Sequence, residues 1–168
     1  MTQIVVITDT SVLINFLVLD RAELLARLPT HRFVVTDHVR AEVTQHYPDQ
    51  LQRLEQAFAD GVLQELSVSD LAEVQTFAGL TAQGLGVGEC SAIAVALHRQ
   101  FTLAIDDRQA TKKIAKLGYQ IAVLTTESVM VLLIHQNVLT IDEADAMKLD
   151  WETNHRFRLM FASFRERI

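Results

Sequence analysis

Short apolar runs alternate along this chain with longer stretches of helical periodicity. The first run, Ile4-Val5-Val6-Ile7, is β-branched, too short to cross a membrane and bounded by Thr8-Asp9-Thr10-Ser11, which predicts a strand buried on both faces. Residues 10–19 read as a helix, and residues 20–28 continue as a second helix that Pro29 ends. Arg32-Phe33-Val34-Val35 predicts a second strand, and Thr36-Asp37 caps a helix through Val39, Ala41 and Val43 to about Tyr47, before Pro48 breaks the pattern. Residues 50–59 place Leu51, Leu54 and Phe58 on one helical face, with Asp60-Gly61 as a stop, and residues 62–68 read as an edge or near-edge strand.

Ser69-Asp70 caps a helix over 71–78 that Gly79 closes, and residues 81–88, with three of the six glycines, form a hinge loop. From Glu89 to Leu97 the sequence is small and apolar, as expected of a helix buried against a sheet. Residues 102–105 predict a fourth strand ending in Asp106-Asp107, followed by a helix to Leu117 that stops at Gly118, a fifth strand over 121–124 and a helix over 128–134. This alternation implies an α/β fold with helices on both faces of a parallel sheet of about five strands. Residues 1–140 form the expected domain, and residues 141–168 a C-terminal helical extension packed on it or on a partner. In that tail, 142–151 reads as one helix and 156–168 as another, with Phe157, Met160, Phe161, Phe164 and Ile168 along one face. Such a helix docks on its own core or on a second copy in a homodimer; its four arginines against one glutamate in the last fourteen residues also suit the flank of a nucleic-acid groove.

With 168 residues, of which 49% are hydrophobic and 21% charged, the chain can bury one sizeable core. No apolar stretch approaches the roughly 20 residues of a spanning helix, and no basic segment precedes the first apolar run, so a soluble cytoplasmic protein with no membrane partner is expected. The single cysteine, Cys90, cannot close an internal disulfide and reads as a small core residue. A formal net charge of −6 argues against tight, sequence-blind nucleic-acid binding, though not against an enzyme whose carboxylates hold cations.

Acidic residues recur where this topology ends strands or begins helices: Asp9, Glu42, Glu89 and the pair Asp106-Asp107. Singly, each has an ordinary reading as a cap, a solvated position or a complement to a helix dipole. With the first and fourth strands adjacent where the sheet's winding reverses, Asp9 and Asp107 would face one another across the crevice in which such sheets bind ligands. Crowded carboxylates repel, and hard divalent cations relieve that repulsion; Mg²⁺ and Mn²⁺ prefer oxygen ligands and promote in-line phosphoryl displacement.

Four segments carry a family resemblance: Asp9-Thr10-Ser11-Val12-Leu13-Ile14, Val39-Arg40-Ala41-Glu42-Val43, Gly86-Val87-Gly88-Glu89-Cys90-Ser91-Ala92-Ile93-Ala94, and Ile105-Asp106-Asp107-Arg108 with Ala110. Together they resemble the acidic motifs of PIN-domain proteins, in order and spacing, from Ile4 to about Thr125. The resemblance implies a Rossmann-like three-layer sheet of order 3-2-1-4-5 and a Mg²⁺- or Mn²⁺-dependent ribonuclease acting on RNA. By position Asp9, Glu42, Glu89 and Asp107 would be the four catalytic acids, with Asp9, Glu89, Asp107 and its competitor Asp106 as metal ligands. Thr10 or Ser11 would hold the first acid's loop or a water. Many bacterial members are toxins held by a small antitoxin, so the resemblance extends to an antitoxin or other protein inhibitor as partner, although compact toxins are shorter than this chain.

The sequence departs from that pattern in having Glu89 where many members have aspartate, and in a tail beyond Thr140 that exceeds a minimal PIN domain. A contrasting reading is a PIN-like module that binds RNA or protein without cutting. Zinc chemistry led by histidine lacks a ligand set, since no His-x-x-x-His pair occurs and His38 with Glu42 has no further partners. Gly84-Leu85-Gly86-Val87-Gly88 follows a helix and has Glu89 in place of a third glycine, which excludes a dinucleotide fingerprint. A phosphoacceptor receiver would carry its acidic pair after the first strand and a lysine after the last, where this chain has Thr125-Thr126.

Overall fold

Five parallel strands are laid down in the order β3-β2-β1-β4-β5 in this computed structural model, which describes residues 2–168. They are β1 (Ile4–Thr8), β2 (His31–Thr36), β3 (Leu63–Leu66), β4 (Thr102–Ala104) and β5 (Val123–Leu124). The central strand β1 pairs with β2 on one side and β4 on the other, so that Ile7 lies beside both Val34 and Leu103. Because the chain first winds outward to β3 and then returns to β4, the reversal of direction falls between β1 and β4, where a crevice opens at the carboxyl ends of the strands.

Alternate residues of these strands feed two cores. Val6, Phe33, Val35 and Ala104 pack with α1 (Thr10–Val18), α2 (Glu23–Ala26), α4 (Leu51–Ala59), α8 (Thr126–His135) and α9 (Ile141–Asn154). Ile7, Val34 and Leu103 pack on the other face with α5 (Leu71–Ala82), α6 (Val87–Arg99) and α7 (Arg108–Lys116). The helix α3 (Asp37–His46) follows β2 and adds Val39 and Val43 to the first core. This is the three-layer α/β arrangement with order 3-2-1-4-5 expected from the sequence. Among the described residues no helix is long and apolar enough to cross a membrane.

Several boundaries differ from the periodicity. Only Glu23–Ala26 of residues 20–28 is helical, because Asp20 takes a positive φ of 55° and turns the chain. Gly79 does not close α5: the helix runs on to Ala82, burying Leu80, and the exit comes at Gly84, whose φ of 89° favours glycine. Residues 81, 82, 87 and 88 are helical, which shortens the hinge loop to residues 83–86.

The largest difference lies at the C-terminus. Residues 156–168 form no α-helix; Arg156 has φ of 55°, and the segment then folds back irregularly to a single 3-10 turn, Phe164–Glu166. Asp145 on α9 anchors that turn by accepting from Ser163 Oγ at 2.6 Å and Phe164 N at 2.8 Å. Phe164 is buried, Phe157 and Phe161 are half-buried, and Met160 and Ile168 are 80% and 50% exposed, so the five do not share one buried face. Trp151 of α9 is fully buried, stands edge-to-face against Phe16, and donates from Nε1 to the Asn15 carbonyl of α1 at 2.7 Å.

Candidate active site

Asp9 is the residue at which β1 becomes α1. Its backbone N–H donates to the Ala104 carbonyl of β4 at 2.9 Å, while its side chain caps α1, Oδ2 accepting from Ser11 N at 3.2 Å and Ser11 Oγ at 2.7 Å. The residue is only 3% exposed, and its second oxygen, Oδ1, is buried without a hydrogen-bond partner. Burial raises the Asp9 carboxyl above its ordinary 3.8 despite the Ser11 hydrogen bonds, and the charge of Glu42 raises it further. The neighbouring Thr10 hydroxyl is likewise buried and unpartnered.

Glu42 approaches from α3. Its Oε2 occupies the space that a Cβ at Gly88 would need, so α6 can bring its first turn to Glu42 only because position 88 has no side chain. The next residue, Glu89, accepts from Gly86 N at 3.3 Å and hydrogen-bonds Asp107. Burial, that bond to Asp107 and the charge of Asp9 push the Glu89 carboxyl up to about 8, so it holds a proton at neutral pH. Asp107 is held below the ordinary carboxylate range by the Glu89 bond and by N–H groups of α7 that it caps, Gln109 at 2.9 Å and Ala110 at 3.2 Å.

Asp106 turns elsewhere. Its Oδ1 accepts from Thr126 N at 2.8 Å, and its Oδ2 from Thr126 Oγ1 at 2.6 Å and Asn15 Nδ2 at 3.3 Å. Asp106 therefore ties β4 to the start of α8, and the cap on α7 is Asp107. Ser11 Oγ joins the two halves of the site, donating to Asp9 and accepting from Asp106 N at 3.0 Å.

Four of the five candidate acids thus interact: Asp9 with Glu42 and Glu89, and Glu89 with Asp107. Among the described residues no three acid, histidine or cysteine side chains are grouped so that they could hold a metal ion as they stand. The chemistry of the donors nonetheless fits a hard cation: they are all carboxylate oxygens, one is buried without a partner, and repulsion among them is relieved here by a proton on Glu89. Asn15, Thr126 and Gly88 were not singled out from the sequence. Asn15 alone carried a signal, as a lone amide inside the apolar series Val12–Leu17.

The raised Glu89 carboxyl predicts a pH dependence. A proton held below about 8 in the folded protein but only below 4.5 when unfolded favours folding at low pH, and that contribution is lost as pH rises from 4.5 through 8. Glu89→Gln should therefore stabilise the cation-free protein relative to wild type at pH 8.5 by on the order of 1–2 kcal/mol, discounted for partial exposure, with little difference at pH 5. Thermal melts in EDTA at both pH values check this; a gap independent of pH would refute it.

A parallel α/β sheet with acids gathered at its switch point defines a class of proteins that bind ligands at that edge. A family model described as a PIN domain (DUF3368) matches residues 5–161, and the chain belongs to the PIN domain family, whose members are generally nucleases. Among solved structures, a PilT N-terminus domain protein, SSO1118 from Sulfolobus solfataricus P2, is similar at 16% identity and a TM-score of 0.50, over 76% of this chain and 91% of that one. PAE2754 from Pyrobaculum aerophilum is similar at 14% identity and a TM-score of 0.54, over 81% of this chain and 91% of that one. These likenesses bear on the fold. No curated protein matches the sequence.

Proposed function

We propose that the protein is a metal-dependent endoribonuclease that hydrolyses RNA phosphodiester bonds at the crevice between β1 and β4. The observation that carries this reading is the buried, unpartnered Oδ1 of Asp9 within a cluster that also contains Glu42, Glu89 and Asp107. Asp9, Glu89 and Asp107 would hold Mg²⁺ or Mn²⁺, with Glu42 beside them as a further catalytic acid. When bound, the cation would supply positive charge at the scissile phosphate and leaving oxygen. The protein's part is to hold these acids still. Ser11 and the Ala104 carbonyl fix Asp9, the cap on α7 fixes Asp107, and the proton on Glu89 must leave as a cation enters, so occupancy should rise with pH. Asp106 is a positioning residue in this scheme, held by Thr126 and Asn15. Water attacks phosphorus, the P–O bond breaks, and the leaving oxygen takes up a proton, with no covalent enzyme intermediate.

The test is cleavage of a single-stranded RNA oligonucleotide with Mn²⁺ or Mg²⁺, against EDTA and against Asp9→Asn. Cleavage that depends on the metal and on Asp9 supports the proposal; none with either metal, or equal cleavage by both proteins, leaves the non-cutting module.

Gly88→Ala gives a sharper check on Glu42. Alanine suits a helix better than glycine by about 1 kcal/mol, so folding should not suffer, yet the new methyl displaces the Glu42 carboxylate. Cleavage should fall by about tenfold or more, as for loss of an outer-shell partner, at an unchanged or higher melting temperature. Full activity in Gly88→Ala would remove Glu42 from the site.

A further inference from the structure

Beyond Asp107 the carboxylate edge leads into a cavity of about 540 Å³, within the roughly 300–1,000 Å³ common for ligand sites. Ile105, Val123 and Phe157 give it an apolar wall, and Arg108, Lys112 and Arg158 bring three cations to it. Phe157 comes from the irregular C-terminal segment and is held edge-to-face against Trp151 at 5.3 Å. The two acids of the cavity are already engaged, Asp106 by Thr126 and Asn15, and Glu127 by Arg167 at 3.1 Å. Among the described residues Arg108, Lys112 and Arg158 form no ion pair.

This concentration of positive charge stands out in a chain of net charge −6. The helix α7 carries Arg108, Lys112, Lys113 and Lys116 without one acid, and Lys112 is shared with a second cavity of about 320 Å³ that Lys113 and Lys116 also line. An unneutralised row of cations that starts one residue after Asp107 matches the spaced charges of a polynucleotide backbone. An apolar wall with an aromatic ring beside it matches a base face.

We infer that the cavity between α7, β5 and residues 157–159 is a nucleotide subsite for single-stranded substrate, taking one base against Phe157 and Val123 and its phosphates on Arg108, Lys112 and Arg158. The inference rests on the nuclease reading for its choice of RNA as ligand. It gives the C-terminal segment a role in substrate binding that differs from the catalytic role of the acids.

The experiment measures both binding and turnover with the full chain and a fluorescein-labelled single-stranded RNA 12-mer. Anisotropy in EDTA reports affinity without cleavage, and initial rates in Mn²⁺ report kcat and KM. Lys112→Ala with Arg158→Ala should weaken binding about tenfold, lower the slope of log affinity against log salt by roughly 0.7 for each cation removed, and raise KM with kcat within about twofold. Phe157→Leu, which keeps an apolar side chain against Trp151, should weaken binding about fivefold and leave the salt slope unchanged. Arg27→Ala, an exposed cation outside both cavities, should leave binding and KM unaltered. Wild-type cleavage with no change in KM, affinity or salt slope in the cavity variants overturns the subsite and leaves the nuclease intact. If the wild type cuts no RNA, weaker binding by the cavity variants in EDTA still supports the subsite while the nuclease reading fails; equal binding by all variants, or loss equal to that of Arg27→Ala, overturns it.

Discussion

Asp9→Asn should lower metal-dependent cleavage by at least about 100-fold while raising the melting temperature of the cation-free protein at neutral and alkaline pH. The two effects have one cause. Asp9 is buried with one oxygen bound to Ser11 and the other unpartnered, in the field of Glu42 and Glu89. Its carboxyl is raised above 3.8, so the folded protein holds that proton more tightly than the unfolded chain, and stability is lost as pH climbs from 3.8 through the raised value. Asparagine has the same shape, can still accept from Ser11 to cap α1, and carries no charge to desolvate. It is a poorer ligand for a hard cation, and because losing even an outer-shell partner of a metal ligand costs about 10–100-fold, loss of a charged ligand should cost at least as much. The stabilisation that Mn²⁺ gives wild type, about 2.7 kcal/mol at a hundredfold excess over Kd, should shrink in the variant. Thermal melts with and without Mn²⁺, beside the cleavage assay, check both halves. A variant that melts lower than wild type in EDTA, or still responds to Mn²⁺ as wild type does, would contradict the assignment of Asp9.

Trp151→Ala should be the most damaging single change to stability, costing about 3–5 kcal/mol and lowering Tm by about 10 °C. Trp151 is fully buried between Phe16 of α1 and Phe157 of the C-terminal segment, and its Nε1–H satisfies the Asn15 carbonyl. Removing the ring opens a cavity between α1 and α9 and leaves a buried carbonyl unpaired. Trp151→Phe separates the two contributions: it keeps most of the packing and loses the hydrogen bond, for a cost of about 1–3 kcal/mol. The Asn15 side chain at the same residue holds Asp106 and Thr126, so the damage reaches the edge of the acid cluster. Denaturant unfolding of the three proteins measures it; a loss below about 1 kcal/mol for Trp151→Ala would mean that α9 adds little to the fold.

The strands were the most legible part of the chain. Val6, Ile7, Val34, Val35, Leu103 and Ala104 are buried, and runs of this kind have few alternatives to a two-sided parallel sheet. The helices on either side were readable from their caps, with Asp70 and Thr36 each accepting from the first turn that follows. Periodicity misled at the C-terminus, where aromatic spacing suggested a helix. There Arg156 reverses the chain, and Asp145 fixes a turn that places Phe164 in the core. Those bonds join residues 18 and 19 apart in sequence, which no local pattern reports.

By itself the sequence determined the α/β class, the approximate place of each strand and the acids to weigh, because hydrophobic period and capping chemistry act over a few neighbouring residues. Only the tertiary structure decided how those acids divide. Crossing connections bring Asp9, Glu42, Glu89 and Asp107 into one another's fields, and they turn Asp106 toward Asn15 and Thr126, 91 and 20 residues away. Gly88 beside Glu42, and Trp151 beneath Asn15, belong to the same category. The reason is physical: a carboxylate's ionisation and partners are set by burial and by charges a few ångströms away, and those neighbours come from segments that meet only when the sheet closes.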